Sequence, residues 1–182
     1  MSDKHSGKKR CKKIHVLEGS EILELVLLSR DVSEKSVQPV SIELEVETIC
    51  ELQGIARNGK NYLEFPIRSI DDLPLCLEVK HMSNEKYILK VGKAYLVTLK
   101  PRVKMPSNCF GVLLPRSSLQ RCGVVAQGTL IDPGYEGNLK VLLYPTVMNI
   151  ELPRGERLFH MIVFCRDKTF TKTYNGLYQG EK

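Results

Sequence analysis

Apolar residues occupy every second position from residue 40 to residue 46, where the sequence reads Val-Ser-Ile-Glu-Leu-Glu-Val. Because neighbouring side chains of a β-strand point to opposite faces, this alternation predicts a strand with one buried face and one acidic face exposed to solvent. Turn-forming sequences such as Asn58-Gly59 and Pro133-Gly134 separate further short apolar runs. Many short strands indicate a mainly β domain, built as a sandwich, a jelly roll or a barrel. The further predicted strands are residues 62–67, 87–90, 94–99, 110–114, 139–144 and 161–165.

The rest of the chain adds little regular structure to this β domain. Residues 20–30 carry apolar side chains at helical spacing, with Ser20 as a candidate N-cap, and predict a short N-terminal helix. No internal repeat or linker interrupts the sequence, so we predict one folded domain over residues 14–168. A basic, disordered tail (residues 1–13) precedes this domain, and a flexible C-terminal tail (residues 169–182) follows it.

Positive charge is concentrated at the N-terminus. The chain has 27 Lys and Arg against 21 Asp and Glu, a net charge of +6, and residues 1–13 hold six basic residues against one Asp, which is +5. The remaining residues are nearly neutral, unlike the basic face of a nucleic-acid-binding domain, so we expect no nucleic-acid partner. The longest apolar run, residues 22–28, is interrupted by Glu24. A membrane span needs about 20 apolar residues, so we expect no membrane association, no signal peptide and a cytoplasmic location.

The cysteines and histidines are too widely spaced for a zinc site, and no Cys-x-x-Cys pair occurs. The sequence also lacks the glycine-rich motifs of P-loop and Rossmann nucleotide sites. With a cytoplasmic location expected, we interpret the cysteines as free thiols that pack as small apolar residues. The six are Cys11, Cys50, Cys76, Cys109, Cys122 and Cys165.

Two segments combine turn residues with chemically useful side chains. In residues 114–121 an apolar run leads into Arg116-Ser117-Ser118 and a short helical stretch. Backbone N–H groups, hydroxyls and an arginine at a helix start can bind phosphate, although a plain N-cap with a solvated arginine explains the same residues. Residues 128–139 predict a β-hairpin with Asp132 at its shoulder and Tyr135 at its tip. These two could equally be a turn former and a surface aromatic residue.

Together with Gly-Glu-Arg-Leu at residues 155–158 and Tyr-Asn-Gly-Leu-Tyr-Gln-Gly at 174–180, these segments resemble the trimeric dUTPase and dCTP deaminase superfamily. The sequence Val-Gln-Pro-Val-Ser-Ile-Glu-Leu at residues 37–44 resembles the strand that opens the deaminase-like branch, with Glu43 where Asp is usual. The resemblance implies a distorted jelly-roll β-barrel with one short N-terminal and one short internal helix. It also implies a homotrimer with shared active sites, closed by the tail of the third subunit.

The resemblance implies either dUTP hydrolysis or dCTP deamination, and two sequence positions distinguish these reactions. dUTPases use an aspartate that matches Asp132, and deaminases use a glutamate at the position that is Leu142 here. No acidic residue lies between Glu136 and Glu151, so a proton shuttle to a cytosine ring is missing. The sequence therefore predicts a dUTP diphosphatase in which Asp132 activates water for attack on the α-phosphate. A dCTP deaminase, even a bifunctional one that forms dUMP, and a non-catalytic nucleotide-binding relative are the alternatives.

The resemblance also implies roles for the substrate-binding residues. Mg²⁺ would be held mainly by the triphosphate of dUTP or a related pyrimidine deoxynucleotide, with no direct protein ligands. The base would pair with backbone around residues 126–130 and 137–139, and Tyr135 would exclude a 2′-hydroxyl. The full set of implied binding residues is Arg116, Ser117, Ser118, Arg121, Gly128, Tyr135, Gly137, His160, Tyr174, Tyr178 and Gln179.

Three positions depart from the dUTPase pattern. Ala126 stands where many dUTPases have an Asn that faces the base, and His160 replaces a usual Gln. Leu177 lies where the tail usually carries a basic residue. Lys168 or Lys172 is therefore expected to supply the missing phosphate contact.

Overall fold

The computed structural model describes residues 13–29, 32–82 and 85–181, and within them the chain is mainly β, as predicted. Two short α-helices accompany the strands, α1 (Gly19–Leu25) and α2 (Ser117–Arg121), together with 3₁₀ turns at Glu34–Ser36 and Ile70–Asp72. The strands are β1 (Ile14–Val16), β2 (Val37–Gln38), β3 (Ser41–Ala56), β4 (Pro74–Glu78), β5 (Lys86–Leu89), β6 (Tyr95–Lys104), β7 (Cys109–Pro115), β8 (Val124–Gln127), β9 (Leu130–Ile131), β10 (Glu136–Pro145), β11 (Ile150–Pro153) and β12 (Arg157–Arg166). Apart from Lys13, the predicted basic tail lies outside the described residues.

Ten of these strands form one antiparallel sheet that curls into a jelly-roll-like half-barrel. Its main path runs β8-β10-β6-β3-β12-β7-β9, with β1 added to β12 and with β2 and β4 added to β3. β5 and β11 form a separate pair. The predicted strand at residues 62–67 is wrong: these residues form bends. Pro66 removes a backbone donor there, and no described strand lies beside the segment to pair with it.

The core lies on the inner face of the curled sheet. Strands β3, β6, β10 and β12 each bury alternate side chains there, as period-two patterning requires. Ile42, Leu99, Phe159 and Met161 are each fully buried. Each such side chain contributes about 1.5–3 kcal/mol by leaving water, so these four strands supply most of the stabilisation.

The acidic face predicted for residues 40–46 is only partly exposed. Glu45 is half-buried and pairs with Lys100 across 3.3 Å. Glu43 is only 5% exposed, so the prediction is wrong at this residue. β12 pairs with this part of β3 and sets His160 directly opposite Glu43, and Arg116 and Arg157 contact its carboxylate at 3.2 Å and 2.6 Å.

α1 is shorter than predicted and begins earlier. Its N-cap is Glu18 rather than Ser20, and the Glu21 carboxylate accepts the Glu18 N–H across 2.8 Å. A Cβ on Gly19 would lie 2.2 Å from the carbonyl oxygen of Gln38, so only glycine permits this close approach of the helix to the sheet. The helix ends at Leu25 because the following residues pair with β6 instead, through the Lys104 N–H to the Val26 carbonyl.

The interpretation of all cysteines as free thiols is also wrong for four of them. Cys50 is bonded to Cys76 and joins β3 to β4, and Cys109 is bonded to Cys165 and joins β7 to β12. The second pair lies at matching register positions of adjacent antiparallel strands. Separations of 26 and 56 residues along the chain concealed both pairs, because only the folded sheet makes them neighbours. Cys122 is a free, exposed thiol.

Reducing the disulfides should lower the free energy of unfolding. Cross-linking residues 56 apart removes conformational entropy from the unfolded chain, which is worth about 4 kcal/mol for Cys109–Cys165 in the chain-entropy model. Guanidinium unfolding with and without tris(2-carboxyethyl)phosphine measures this loss, with Cys122→Ser as the control that should leave the difference intact. An unfolding midpoint that does not respond to the reductant would restore the free-thiol interpretation.

Candidate active site

The segment predicted as a β-hairpin instead carries the chain across the barrel. β9 pairs with β7 and β10 pairs with β6 and β8, so the two strands are not partners of each other. The connecting turn is held by the Tyr135 N–H to the Asp132 carbonyl at 3.1 Å and the Gly134 N–H to the Met105 carbonyl at 3.0 Å. Gly134 has φ +81°, which the turn needs. Asp132 therefore lies in the connection from β9, at one end of the main sheet path, to β10, which lies between β8 and β6 at the other.

A cavity of about 540 Å³ opens beside this turn. Its walls come from four parts of the chain: the end of β3 with the segment that leads into β4, the start of β6, the segment from β9 through the turn into β10, and the C-terminal segment. Four predicted site residues line it together: Asp132, Tyr135, Tyr174 and Tyr178. The cavity thus unites the carboxylate of the turn with the aromatic residues of the tail.

Tyr135 is a buried support of this cavity and not an exposed hairpin tip. It is 8% exposed, its hydroxyl donates to the Asn138 carbonyl at 2.7 Å, and its ring meets the ring of Tyr174 edge-on at 5.4 Å. Burial raises the pKa of Tyr135 to about 12, and the nearby Glu181 adds to the shift. The hydroxyl therefore stays protonated at neutral pH and remains a hydrogen-bond donor.

The two glycines predicted to face the base are required by packing. A Cβ on Gly137 would lie 2.6 Å from the Tyr135 hydroxyl, so glycine makes room for the tyrosine. A Cβ on Gly128 would lie 1.9 Å from the Leu113 carbonyl oxygen, so glycine lets this loop approach β7. Because glycine has no Cβ, both residues allow a neighbouring group to approach where any other side chain would clash.

The C-terminal segment lies along the turn and the start of β10 of the same chain. The Tyr174 N–H donates to the Pro133 carbonyl at 2.7 Å, and the Gln179 side-chain amide donates to the Gly134 carbonyl at 3.1 Å. The Gly180 N–H bonds to the Glu136 carbonyl at 2.8 Å, and Glu181 accepts from the Asn138 N–H at 2.9 Å. Glu181 thus occupies the Asn138 N–H, which belongs to the backbone predicted for the base, and Gly180 bonds next to it at Glu136.

The phosphate-binding residues predicted around α2 lie away from this cavity. Arg116 is the N-cap of α2, and its side chain pairs with Glu43 at 3.2 Å and Glu156 at 3.1 Å. Ser117, Ser118 and Arg121 are exposed on the helix. His160 lies on β12 near Glu43, with its Nδ1 3.4 Å from the Ser41 hydroxyl. One chain therefore presents two separate groups of predicted site residues.

Sequence reasoning missed three charged residues that line the cavity, Arg57, Lys140 and Glu181. Lys140 pairs with Glu181 across 2.6 Å. Its position in the sequence could have indicated such a partner, because charged residues seldom interrupt an apolar run without one. Glu43 was considered only for its sequence resemblance, and it lies outside the cavity, in contact with Arg116. Lys168 and Lys172, predicted to contact phosphate, are exposed and do not line the cavity.

Within residues 13–29, 32–82 and 85–181, no cluster of three or more His, Cys, Asp or Glu side chains is arranged to hold a metal ion. None of the helices in this described part of the chain has the length and apolar character needed to cross a membrane.

Comparison with known proteins defines the class. A family model described as dCTP deaminase-like matches residues 16–165. The probable deoxyuridine 5′-triphosphate nucleotidohydrolase of Methanothermobacter thermautotrophicus is 31% identical over 147 residues, which are 80% of this chain and 89% of that protein. The chain therefore belongs to the dCTP deaminase-like family, within the superfamily of dUTPases and dCTP deaminases. The superfamily predicted from the sequence is confirmed.

Other relatives carry the deaminase name. A dCTP deaminase of Korarchaeum cryptofilum is 31% identical over 113 residues, which are 62% of this chain and 64% of that protein. The crystal structure of 2′-deoxycytidine 5′-triphosphate deaminase from Agrobacterium tumefaciens matches with a TM-score of 0.65 at 19% identity, over 84% of this chain and 48% of that one. The chain spans about half the length of that structure, with which it shares the fold. A relative named as a dUTP nucleotidohydrolase and one named as a dCTP deaminase are therefore equally similar to this chain, at 31% identity.

Tyr135→Phe should destabilise the protein and remove an alkaline titration. Losing the hydroxyl leaves the buried Asn138 carbonyl without this donor, at a cost of about 1–3 kcal/mol in unfolding free energy. Because the pKa of Tyr135 rises from 10.0 to about 12 in the fold, its contribution to stability is complete below pH 10.0 and is lost as the pH rises toward about 12.

Guanidinium unfolding at several alkaline pH values measures both effects, with Tyr144→Phe on the outer face of β10 as the control. If the Phe variant retains the same alkaline loss of stability as the unmodified protein, the loss does not come from Tyr135.

Proposed function

We propose that the protein is a dUTP diphosphatase that hydrolyses dUTP to dUMP and pyrophosphate. One observation carries the proposal: Asp132, the residue that matches the hydrolytic aspartate, lines the same cavity as Tyr135, Tyr174 and Tyr178. The position of a deaminase glutamate is Leu142, a half-buried residue two positions beyond Lys140 on β10. Leucine cannot exchange protons with a cytosine ring.

Asp132 is the residue that would activate water. Its carboxylate would orient a water molecule toward the α-phosphorus and accept its proton as the P–O bond to the leaving pyrophosphate breaks. Phosphoryl transfer of this kind depends on in-line positioning, which a residue in a turn held by three backbone hydrogen bonds at Met105, Gly134 and Tyr135 can supply.

Mg²⁺ would be held at this site by the triphosphate of the substrate and not by protein side chains. The carboxylates among the described lining residues are Asp132 and Glu181, too few for a protein cage around an octahedral ion. Mg²⁺ bound to triphosphate oxygens would neutralise their charge and hold the phosphate chain in one conformation. Asp132 would then be free to act on water.

Sugar and base would lie between Tyr135 and the tail. The Tyr135 ring, fixed by its contacts to Asn138 and Tyr174, would pack against the deoxyribose and leave no room for a 2′-hydroxyl. The base would pair with the backbone beside Gly137, where residues 180 and 181 now bond to Glu136 and Asn138. Binding would therefore require these two tail residues to move, while Tyr174, Tyr178 and Gln179 close over the nucleotide.

A neighbouring subunit would supply the remaining protein contacts to the phosphates. Arg116, Ser117, Ser118, Arg121 and His160 do not line the cavity of their own chain. A homotrimer with shared active sites would bring this group to the cavity of the next subunit. Within one chain, Lys140 and Arg57 are the cations that line the cavity, and they would take the place of the basic residue that Leu177 replaces.

dCTP deaminase is the second candidate, because the family model and the Korarchaeum relative carry that name. Deamination would need a group that moves a proton to the cytosine ring. Lys140 and Glu181 form an ion pair whose two members both line the cavity, so they are the residues to test if ammonia is released.

Asp132→Asn should reduce dUTP hydrolysis on the order of 10³-fold while nucleotide binding is retained, because the amide keeps the shape but accepts no proton. Pyrophosphate release from dUTP, measured with a coupled assay at saturating Mg²⁺, checks this. Asp167→Asn, an exposed aspartate outside the cavity, is the matched control and should retain full activity. Hydrolysis by Asp132→Asn within tenfold of the unmodified protein would refute the proposed role.

The unmodified protein should release no ammonia from dCTP. Leu142 offers no proton transfer, and the assay for ammonia can be run on the same samples that release pyrophosphate from dUTP. Ammonia release above that of the Lys140→Met variant, with dUMP or dUTP as product, would move the assignment to the deaminase branch.

A further inference from the structure

The carboxylate of Glu43 is the centre of a charged cluster that the hydrolytic step does not use. Its side chain is 6% exposed. Oε1 lies 3.2 Å from the Arg116 Nε, and Oε2 lies 2.6 Å from the Arg157 Nη1. The His160 Nε2 is 3.8 Å from Oε1. Three strands meet here, because Glu43 is on β3, Arg157 and His160 are on β12 and Arg116 follows β7.

A carboxylate this buried is retained only if its charge is matched. Desolvation of an unpaired carboxylate costs far more than one hydrogen bond returns. Two guanidinium groups provide the match, so the fold holds all three side chains in a defined arrangement. The buried Glu43 carboxylate therefore fixes the positions of the Arg116 and Arg157 side chains that contact it.

Arg116 is held on two sides by this arrangement. Its Nε contacts Glu43, and its Nη1 donates to the Glu156 carboxylate at 3.1 Å and to the Arg157 carbonyl at 3.0 Å. The remaining nitrogen, Nη2, has no such contact to the described residues. A guanidinium presents its donors in one rigid plane, so fixing Nε and Nη1 also fixes the direction of Nη2.

We propose that Glu43 is a positioning residue for the triphosphate. It holds Arg116 with Nη2 available to phosphate oxygens, beside the exposed hydroxyls of Ser117 and Ser118 on α2. Glu43 itself touches neither substrate nor water and acts only through Arg116. The inference rests on the proposed function, since it takes Arg116 to be a phosphate ligand.

Glu43→Gln is the test variant, and Glu45→Gln, two residues along the same strand and paired with Lys100 on the neighbouring β6, is the matched control. Affinity is measured for the non-hydrolysable analogue α,β-imido-dUTP and for deoxyuridine, which lacks phosphates. Glu43→Gln should weaken binding of the triphosphate analogue about 10- to 100-fold, the size of a lost charge-assisted contact, and leave deoxyuridine binding unchanged. In turnover, KM for dUTP should rise while kcat stays within about threefold.

A double-mutant cycle with Arg116→Lys tests whether Glu43 acts through Arg116. Lysine keeps the charge but lacks the planar fork, so Glu43→Gln should add little further loss of triphosphate affinity in that background. Fully additive losses, or equal weakening of deoxyuridine and the triphosphate, would overturn the proposal in favour of a purely structural role. If Glu43→Gln does not fold, Glu43→Asp replaces it, with an intermediate triphosphate-specific loss expected.

The outcomes separate this inference from the proposed function. If the protein hydrolyses dUTP and Glu43→Gln keeps a normal KM, the positioning role fails alone. If no dUTP is hydrolysed but triphosphate affinity still depends on Glu43 and Arg116 together, the diphosphatase assignment fails and the positioning role stands. If the unmodified protein binds no triphosphate, both fail.

Discussion

The pairing of β3 with different partners along its length organises the molecule. Its first residues bond to β12, its middle to β6 and its last residues to β4. A strand of 16 residues that changes partners in this way forces the sheet to curl. Its two ends then serve different purposes: Glu43 near the start organises the arginine cluster, and Leu52 near the end lines the cavity.

The curl also explains the position of the turn that carries Asp132 and Tyr135. β9 and β10 lie near opposite ends of the main sheet path, so the residues between them cross from one part of the sheet to the other. Asp132 and Tyr135 sit in that crossing, and Gly134 and Gly137 supply the conformation and the space that it needs. A conventional hairpin would have exposed Tyr135, whereas the crossing buries it and leaves its ring as a rigid wall.

The same geometry keeps two groups of predicted site residues apart on one chain. The turn, the tail and Lys140 surround the cavity, while α2 and the Glu43 cluster lie elsewhere on the chain. Under the proposed function, water activation and sugar selection belong to one subunit and phosphate binding to the next. Glu181 bonds to the Asn138 N–H within the backbone proposed for the base, so under the proposed function the base and the tail would use the same backbone group.

Local patterns in the sequence were sufficient for the class of fold, the superfamily and the segment that carries Asp132 and Tyr135. Alternation predicts which side of a strand is apolar, and turn residues predict where strands end, since both depend on neighbouring residues. The partners of each strand depend on contacts between distant residues, and only the tertiary structure decided them. Those contacts buried Glu43 between two arginines, joined Cys109 to Cys165, separated β9 from β10 and brought Arg57 and Lys140 to the cavity. Charge pairing and disulfide formation require proximity in space, and proximity is a property of the folded sheet rather than of any local run of residues.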